Sequence, residues 1–380
     1  MTPGATAEAL AFAELAGRRL APLPPDWPGN PWWHWLIFTV IGISFVLLMV
    51  IVAIYIERRG IAWFAARIGP NRTGPFGVLQ AAADGIKALL KESITPSASD
   101  KLVFWLAPMV VFAPVLIVLA VVPFQNGAML ADLNIGLLFV VAIGSISTIG
   151  VFMAGWSSSN KYSLIGAMRT VAAVVSYEIP VVLAIAGVVI LTGSLSLNDI
   201  VIAQTRVPFI LLQPLGFFLL FVGGCAEINR SPFDLMEADS ELVAGFHTEY
   251  SGMKFAMFYL GEYGEAMVMS TVIATLFLGG WQGPWLPPWL WLLTKIVLVF
   301  FTMVWTRATL PRVRIDQLMA FAWKFMFPLA LVNMFVTAIQ VLTWPGALPL
   351  YVIPINFAIA VGLVLLGSRL FKVGWGRVEV

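Results

Sequence analysis

The chain reads as an all-α polytopic membrane protein of about nine transmembrane helices, N-terminus outside, C-terminus cytoplasmic, with ordered cytoplasmic loops and an amphipathic surface helix. Three observations predict this. Only 11% of the 380 residues are charged and 60% are hydrophobic, whereas a soluble domain carries about 25% charged residues; the surface as well as the core must therefore be apolar. Nine runs have the length that spanning demands, roughly 20 mostly apolar residues. Finally, Lys and Arg crowd into alternate loops, which sets the orientation.

The nine runs are 34–56, 102–124, 134–156, 170–192, 207–226, 256–279, 286–306, 325–344 and 349–370. Segments 57–101, 157–169, 227–254, 307–324 and the C-terminal tail hold most of the Lys and Arg; loops 125–133, 280–285 and 345–348 hold none, and 193–206 has only Arg206. Basic loops stay cytoplasmic, so an odd number of spans puts the N-terminus outside. Trp281, Trp285, Trp289 and Trp291 form an aromatic belt at an outer boundary. Residues 1–33 lack the basic start and apolar run of a signal peptide and form an unassigned extension; 34–344 is the main membrane domain, and 345–380 adds a last helix and tail.

Two cytoplasmic loops read as ordered. Two Gly-Pro steps, Gly69-Pro70 and Gly74-Pro75, frame a turn. After it, Val78, Leu79, Ala82, Ile86, Leu89 and Leu90 line one side of a helix and Asp84, Lys87 and Lys91 lie elsewhere, as expected for a helix on a membrane surface or a partner. Ser97 and Asp100 resemble a capping box before the second span. The loop from Glu227 to Lys254 is both acidic and apolar and should pack; Ser231 suits a helix cap there and Pro232 the first helical position.

The single cysteine, Cys225, and two histidines, His34 and His247, cannot supply the four thiolates of an iron–sulfur cluster. G-x-G-x-x-G and G-x-x-x-x-G-K-[ST] are absent, so a nucleotide is not bound in those ways. Electrons for any redox chemistry must come from elsewhere. Cys225 reads as a small apolar helix residue and His247 as an ordinary loop residue.

Charges inside spans carry the chemistry. One at a helix centre costs about 2.5–3.5 kcal/mol to insert. Glu178, Glu262 and Lys295 are read as members of a proton or ion route; for Glu265, pairing as structural glue stands equally open. Glu57, Arg58 and Arg59 close the first span. Snorkelling explains Arg59 but not Glu57, which gains little as an anchor. Glu227 and Arg230, three apart, suggest a local ion pair. Seven acidic residues within 227–262 form a cluster whose protonation responds to nearby charge.

These residues resemble the H family of NADH–quinone oxidoreductase membrane subunits, called subunit 1 in mitochondria. The resemblance rests on Ile56-Glu57-Arg58-Arg59, Arg67-Ile68-Gly69-Pro70-Asn71-Arg72-Thr73-Gly74-Pro75, Trp156-Ser157-Ser158-Ser159-Asn160-Lys161-Tyr162 and Ser176-Tyr177-Glu178. Its most specific stretch is Ala226-Glu227-Ile228-Asn229-Arg230-Ser231-Pro232-Phe233-Asp234-Leu235. Glu241 to Phe246, Thr248 to Gly252, Arg307-Ala308, Pro311-Arg312, Asp316 to Met319 and Trp323-Lys324 follow in order, over about 35–330.

The resemblance implies a membrane subunit at the junction of the two arms of respiratory complex I, in a bacterial plasma membrane. Its substrate would be a quinone, ubiquinone or menaquinone, with no metal or flavin bound by this chain. Its partners would be the iron–sulfur subunit at the quinone junction and small neighbouring membrane subunits, with lipid around it and no nucleic acid. Carried over position by position, Glu57, Arg58, Arg67, Asp84, Arg230, Arg312 and Arg314 fall at the quinone chamber. Glu227, Asp234, Glu237, Asp239 and Glu241 belong to the acidic loop, and Glu178, Glu262 and Lys295 continue a proton-coupling path inward.

Ala238-Asp239-Ser240-Glu241 departs from the Gly-Glu-Ser-Glu of mitochondrial members, so Asp239 keeps the charge on a shorter arm. Residues 1–33 and the ninth span are additions to an eight-helix form. Ferredoxin-linked dehydrogenases and membrane-bound hydrogenases use related subunits, and a stand-alone ion transporter is the rival of another class. No internal repeat of the transporter kind is present.

Overall fold

The computed structural model of the chain describes residues 32–126, 129–234, 244–344 and 349–370. Two compact units divide it, Met1–Phe45 and Val46–Val380. Of the first, the described part is the opening of a helix; everything below concerns the second. Predicted features on residues 1–31, including the N-terminal extension, and Glu237, Asp239 and Glu241 in the acidic loop lie outside the described residues.

The described residues form helices and no strand. In chain order these are α1 (Trp32–Phe64), α2 (Gln80–Leu90), α3 (Lys101–Leu119), α4 (Gly136–Gly144), α5 (Ile146–Ser157), α6 (Lys161–Thr192) and α7 (Leu197–Ala203). Then follow α8 (Pro214–Glu227), α9 (Gly252–Phe277), α10 (Pro288–Thr309), α11 (Ile315–Ala320), α12 (Phe327–Thr343) and α13 (Val352–Leu370). Among the described residues, six stretches are long and apolar enough to cross a membrane: Lys101–Leu119, Gly136–Ser157, Lys161–Thr192, Pro288–Thr309, Ile315–Thr343 and Val352–Arg369. α8 is a shorter apolar helix, whereas α1 and α9 run to 33 and 26 residues. Leu102, Trp105, Met109, Ile149, Phe152, Leu298 and Phe335 are exposed, a surface suited to lipid tails and costly in water.

Several boundaries differ from those predicted, each for a local reason. α1 does not end at Glu57 but continues to Phe64, so Glu57 sits within a helix. α6 starts at Lys161, where the Asn160 side chain caps it by accepting the Tyr162 N–H at 3.0 Å, and ends on Gly193 in the left-handed region, φ 66°. The third run breaks at Ser145, between α4 and α5. α11 and α12 are joined by a π-helical turn, Phe321–Met326. The expected capping box before α3 does not form: Asp100 is the cap residue, yet its side chain makes no cap hydrogen bond, and its N–H instead donates to the Ser157 carbonyl at 3.2 Å. Ser231–Pro232 forms a turn, not the expected helix start.

α6 is the central element, packed on α5, α8 and α12, while α9 packs on α3 and α10. Small residues allow the close approaches. A Cβ on Gly264 of α9 would lie 2.5 Å from Val115 of α3, and one on Gly223 of α8 2.4 Å from Val181 of α6. Close backbone packing of this kind substitutes for the hydrophobic drive that lipid removes. Tyr177, Leu219, Leu220, Tyr263, Ile273, Leu276, Phe277 and Phe300 are fully buried in the resulting core. A second cluster, Phe104, Val111, Phe246, Tyr250 and Phe258, anchors the end of the acidic loop, with Phe104 and Tyr250 stacked at 4.0 Å.

Candidate functional site: a chain of buried charges

At one end of the core, three elements converge on Glu57. α1 presents its carboxylate, which is 2% exposed and takes ion pairs from both Arg230 and Arg307. A carboxylate so enclosed is unfavourable unless fully paired, and two guanidiniums supply that pairing. Arg230 comes from the loop after α8. Its Nε also lies 3.2 Å from Glu262 of α9, an ion pair without the geometry of a directed hydrogen bond. Its guanidinium carbon sits 4.3 Å from the centre of the Tyr263 ring. Burial works against Arg230's charge, but Glu262 and Glu57 more than offset it and raise its pKa.

The expected Glu227–Arg230 pair is therefore replaced by longer-range partners. α8 ends at Glu227, and Asn229 turns through the left-handed region at φ 56°, so helical three-residue spacing no longer applies. From Glu262 the acidic groups continue inward. Glu265 interacts electrostatically with Glu262 and Glu227, and Glu227 with Glu178 of α6. Glu178 accepts a hydrogen bond from Ser145 at the break between α4 and α5. One carboxylate oxygen each of Glu227 and Glu265 is buried without a hydrogen-bond partner. A cleft reaches this group, lined by Asn229, His247, Tyr259, Glu262 and Glu265 with apolar side chains around them.

A second cluster forms around the first loop. Arg58 pairs with Asp84 of α2, and Gln80 donates to Asp84 at 3.0 Å while accepting from Thr73 at 2.6 Å. Arg59 donates to Tyr55 and to the Phe76 carbonyl, both at 2.9 Å. The turn between them depends on Gly77: at φ 77°, a Cβ there would stand 2.2 Å from the Pro70 carbonyl oxygen. α2 is a helix as predicted, with Ile86, Leu89 and Leu90 exposed.

The remaining candidates are more dispersed. Arg312 lies 3.9 Å from Asp234, and the Val313 N–H donates to the Pro232 carbonyl at 3.1 Å, which ties the two segments together. Arg314 is exposed beside Asp316, and Arg67 is exposed after α1. Lys295 is not brought to the carboxylates: its Nζ donates to the carbonyls of Gly280 and Gln282, beyond the far end of α9. Glu249, at the end of the acidic loop, accepts from Asn160 at 2.7 Å. Among the described residues no three His, Cys, Asp or Glu side chains are grouped to hold a metal ion.

Sequence reasoning missed Ser145, Ser147 and Tyr263, which carry no charge, and read Arg307 only as a topology signal. The cost of burying Glu57 was the available clue, since a carboxylate flanked by arginines at a span's end implies cationic partners.

The family model described as NADH dehydrogenase matches residues 37–338. The chain belongs to this family. A Dehalococcoides mccartyi protein, named as the H subunit of NADH-quinone oxidoreductase, is 58% identical over 349 residues, covering 92% of this chain and 99% of the relative. Proteins of the same name from Brevibacillus brevis and a Geobacillus species are each 48% identical, covering 83% and 81% of this chain and 95% of each relative. The matched span, 37–338, contains Glu57 and Arg58 of α1, Glu227 at the end of α8, Arg230 after it, and Arg307 of α10.

Proposed function

We propose that the chain is the membrane subunit of a proton-pumping NADH:quinone oxidoreductase in which quinone reduction is coupled to proton movement through buried charges. The observation that carries this is the buried Arg230, which joins Glu57 near the chain's basic loops to Glu262, the first of a line of carboxylates leading to Glu178. Arg58, Asp84, Arg312 and Asp234 border the quinone chamber, with Arg67 and Arg314 at its rim. Reduction of a quinone takes up two protons and changes the local charge. That change alters the balance held by Arg230 and shifts protonation along Glu262, Glu227 and Glu178. Glu237, Asp239 and Glu241 extend the acidic lining. The contacts of Lys295 support a role in fixing the loop after α9.

The electrons come from an iron–sulfur partner subunit at the cytoplasmic face, and other small membrane subunits receive the protonation signal. Nine spans with the N-terminus outside fit a bacterial plasma membrane, since each of the nine predicted runs overlaps a helix. Glu227→Gln or Asp234→Asn should lower NADH-driven quinone reduction by at least about a hundredfold, the lower end for losing a proton-transfer group, while the complex still assembles. Wild-type rates and proton-to-electron ratios in both would sink the proposal.

A further inference from the structure

Glu265, which the sequence leaves open between structural pairing and the proton route, stands between Glu262 and Glu227 in the carboxylate line. Glu262 and Glu265 lie one turn apart on α9 and so share a face. Glu265 interacts with both Glu262 and Glu227, and its side chain meets the Ser147 hydroxyl of α5. Its Oε1 is sealed from solvent and has no hydrogen-bond partner. Together with Glu262 it lines the cleft, whose other polar walls are Asn229, His247 and Tyr259. A purely structural carboxylate would be expected to find partners for both oxygens, because an unsatisfied buried acceptor is destabilising. An oxygen left open beside a polar cleft is instead free to receive a proton.

We infer that Glu265 is a proton-relay residue between Glu262 and Glu227, loaded through water in the adjoining cleft. This rests on the coupling function proposed above. Each step moves one proton from a carboxylic acid Oε–H to the neighbouring carboxylate, directly or through a cleft water, and no other bond is made or broken. Ser147 donates its hydroxyl hydrogen to the Gly144 carbonyl at 2.9 Å, which leaves its oxygen to accept from Glu265 when that carboxyl is protonated.

The test uses the whole purified complex in liposomes. Glu265→Gln keeps the shape and hydrogen-bonding capacity but cannot carry a proton as an acid. It should assemble, lower NADH-driven proton uptake by about a hundredfold, and remove a carboxyl C=O band from the infrared difference spectrum of quinone reduction. Should that variant fail to assemble, Glu265→Asp keeps the acid and should shift the same band. Wild-type proton uptake in Glu265→Gln with loss in Glu227→Gln overturns this inference and leaves the coupling function standing. Wild-type uptake in Glu265→Gln, Glu227→Gln and Asp234→Asn alike overturns the coupling function itself. A difference spectrum unchanged in both Glu265 variants also overturns the inference.

Discussion

The pairing of Glu57 with Arg230 and Arg307 makes a strong prediction about single residues. Removing one partner of a buried ion pair strands the other and costs about 3–5 kcal/mol. Arg230→Ala would leave Glu57, 2% exposed, with Arg307 alone and would take the guanidinium away from Glu262. It should therefore reduce the assembled complex on native gels more than Arg314→Ala, whose side chain is 79% exposed and whose ion pair is worth under about 1 kcal/mol. Equal assembly in the two variants would mean that the buried pairing contributes little. His247 gives a prediction with a pH sign. Burial beside the rings of Phe246 and Phe255 holds its pKa down, from 6.5 to about 4. The stability gained from keeping it neutral is full above pH 6.5 and is lost as pH falls towards 4, with a slope of at most about 1.4 kcal/mol per pH unit. Glu262 and Glu265 line the same cleft. The melting temperature of solubilised His247→Phe complex should fall less steeply than wild type over that interval; parallel curves would contradict a buried neutral histidine. At this scale the sequence revealed which charges were costly but not which would meet. The choice of Arg230's partners depends on the backbone reversal at Asn229, and local spacing carries no trace of it.

Among the elements, α2 and its preceding turn give opposite expectations for one substitution. Gly77→Ala puts a methyl against the Pro70 carbonyl in a left-handed conformation, whereas the Cβ of Gly85→Ala in α2 would meet nothing within 4 Å. The first costs at least about 1–2 kcal/mol from conformation alone, and the second gains about 0.5–1 kcal/mol of helix stability. Quinone reductase activity should therefore drop in Gly77→Ala and survive in Gly85→Ala, measured at saturating quinone. Loss in both would show that α2 tolerates no added bulk against its partner. The last helix is held differently. Asn356 of α13 donates to the Leu212 carbonyl at 2.6 Å and shares two amide hydrogen bonds with Gln340 of α12. Asn356→Leu strands those groups at about 1–3 kcal/mol and should make the α12–α13 connection more sensitive to protease; unchanged cleavage would point to apolar packing as the main tether. Hydropathy located the long apolar helices because lipid demands an apolar surface, whereas amphipathic spacing located α2. It misplaced their ends at Glu57–Phe64 and Lys161–Arg169, because backbone hydrogen bonding continues into water where apolar composition stops.

For the molecule as a whole, the sequence predicts an orientation because local counts of Lys and Arg set it, with no need for tertiary contacts. The charge network was only partly legible, since its connections join α1, α6, α8, α9 and α10 across more than a hundred residues of chain. Cys225 provides a direct check on orientation. It is the sole cysteine and is buried, so Cys225→Ala gives a background without thiols at the expense of a small core methylene-sized gap. Trp285, 91% exposed between α9 and α10, should face outside, and Arg314, 79% exposed between α10 and α11, the cytoplasm. α10 alone separates the two, so they must label from opposite sides if it spans. An impermeant maleimide added to intact spheroplasts should modify Trp285→Cys and spare Arg314→Cys, and inverted vesicles should reverse the pattern. Labelling in denaturant checks that both thiols are present. Labelling of both from one side would mean that α10 does not cross. A clean reversal of the expected sides would place Glu57 and its arginines at the outer surface, where an electron-donating cytoplasmic partner could not reach them.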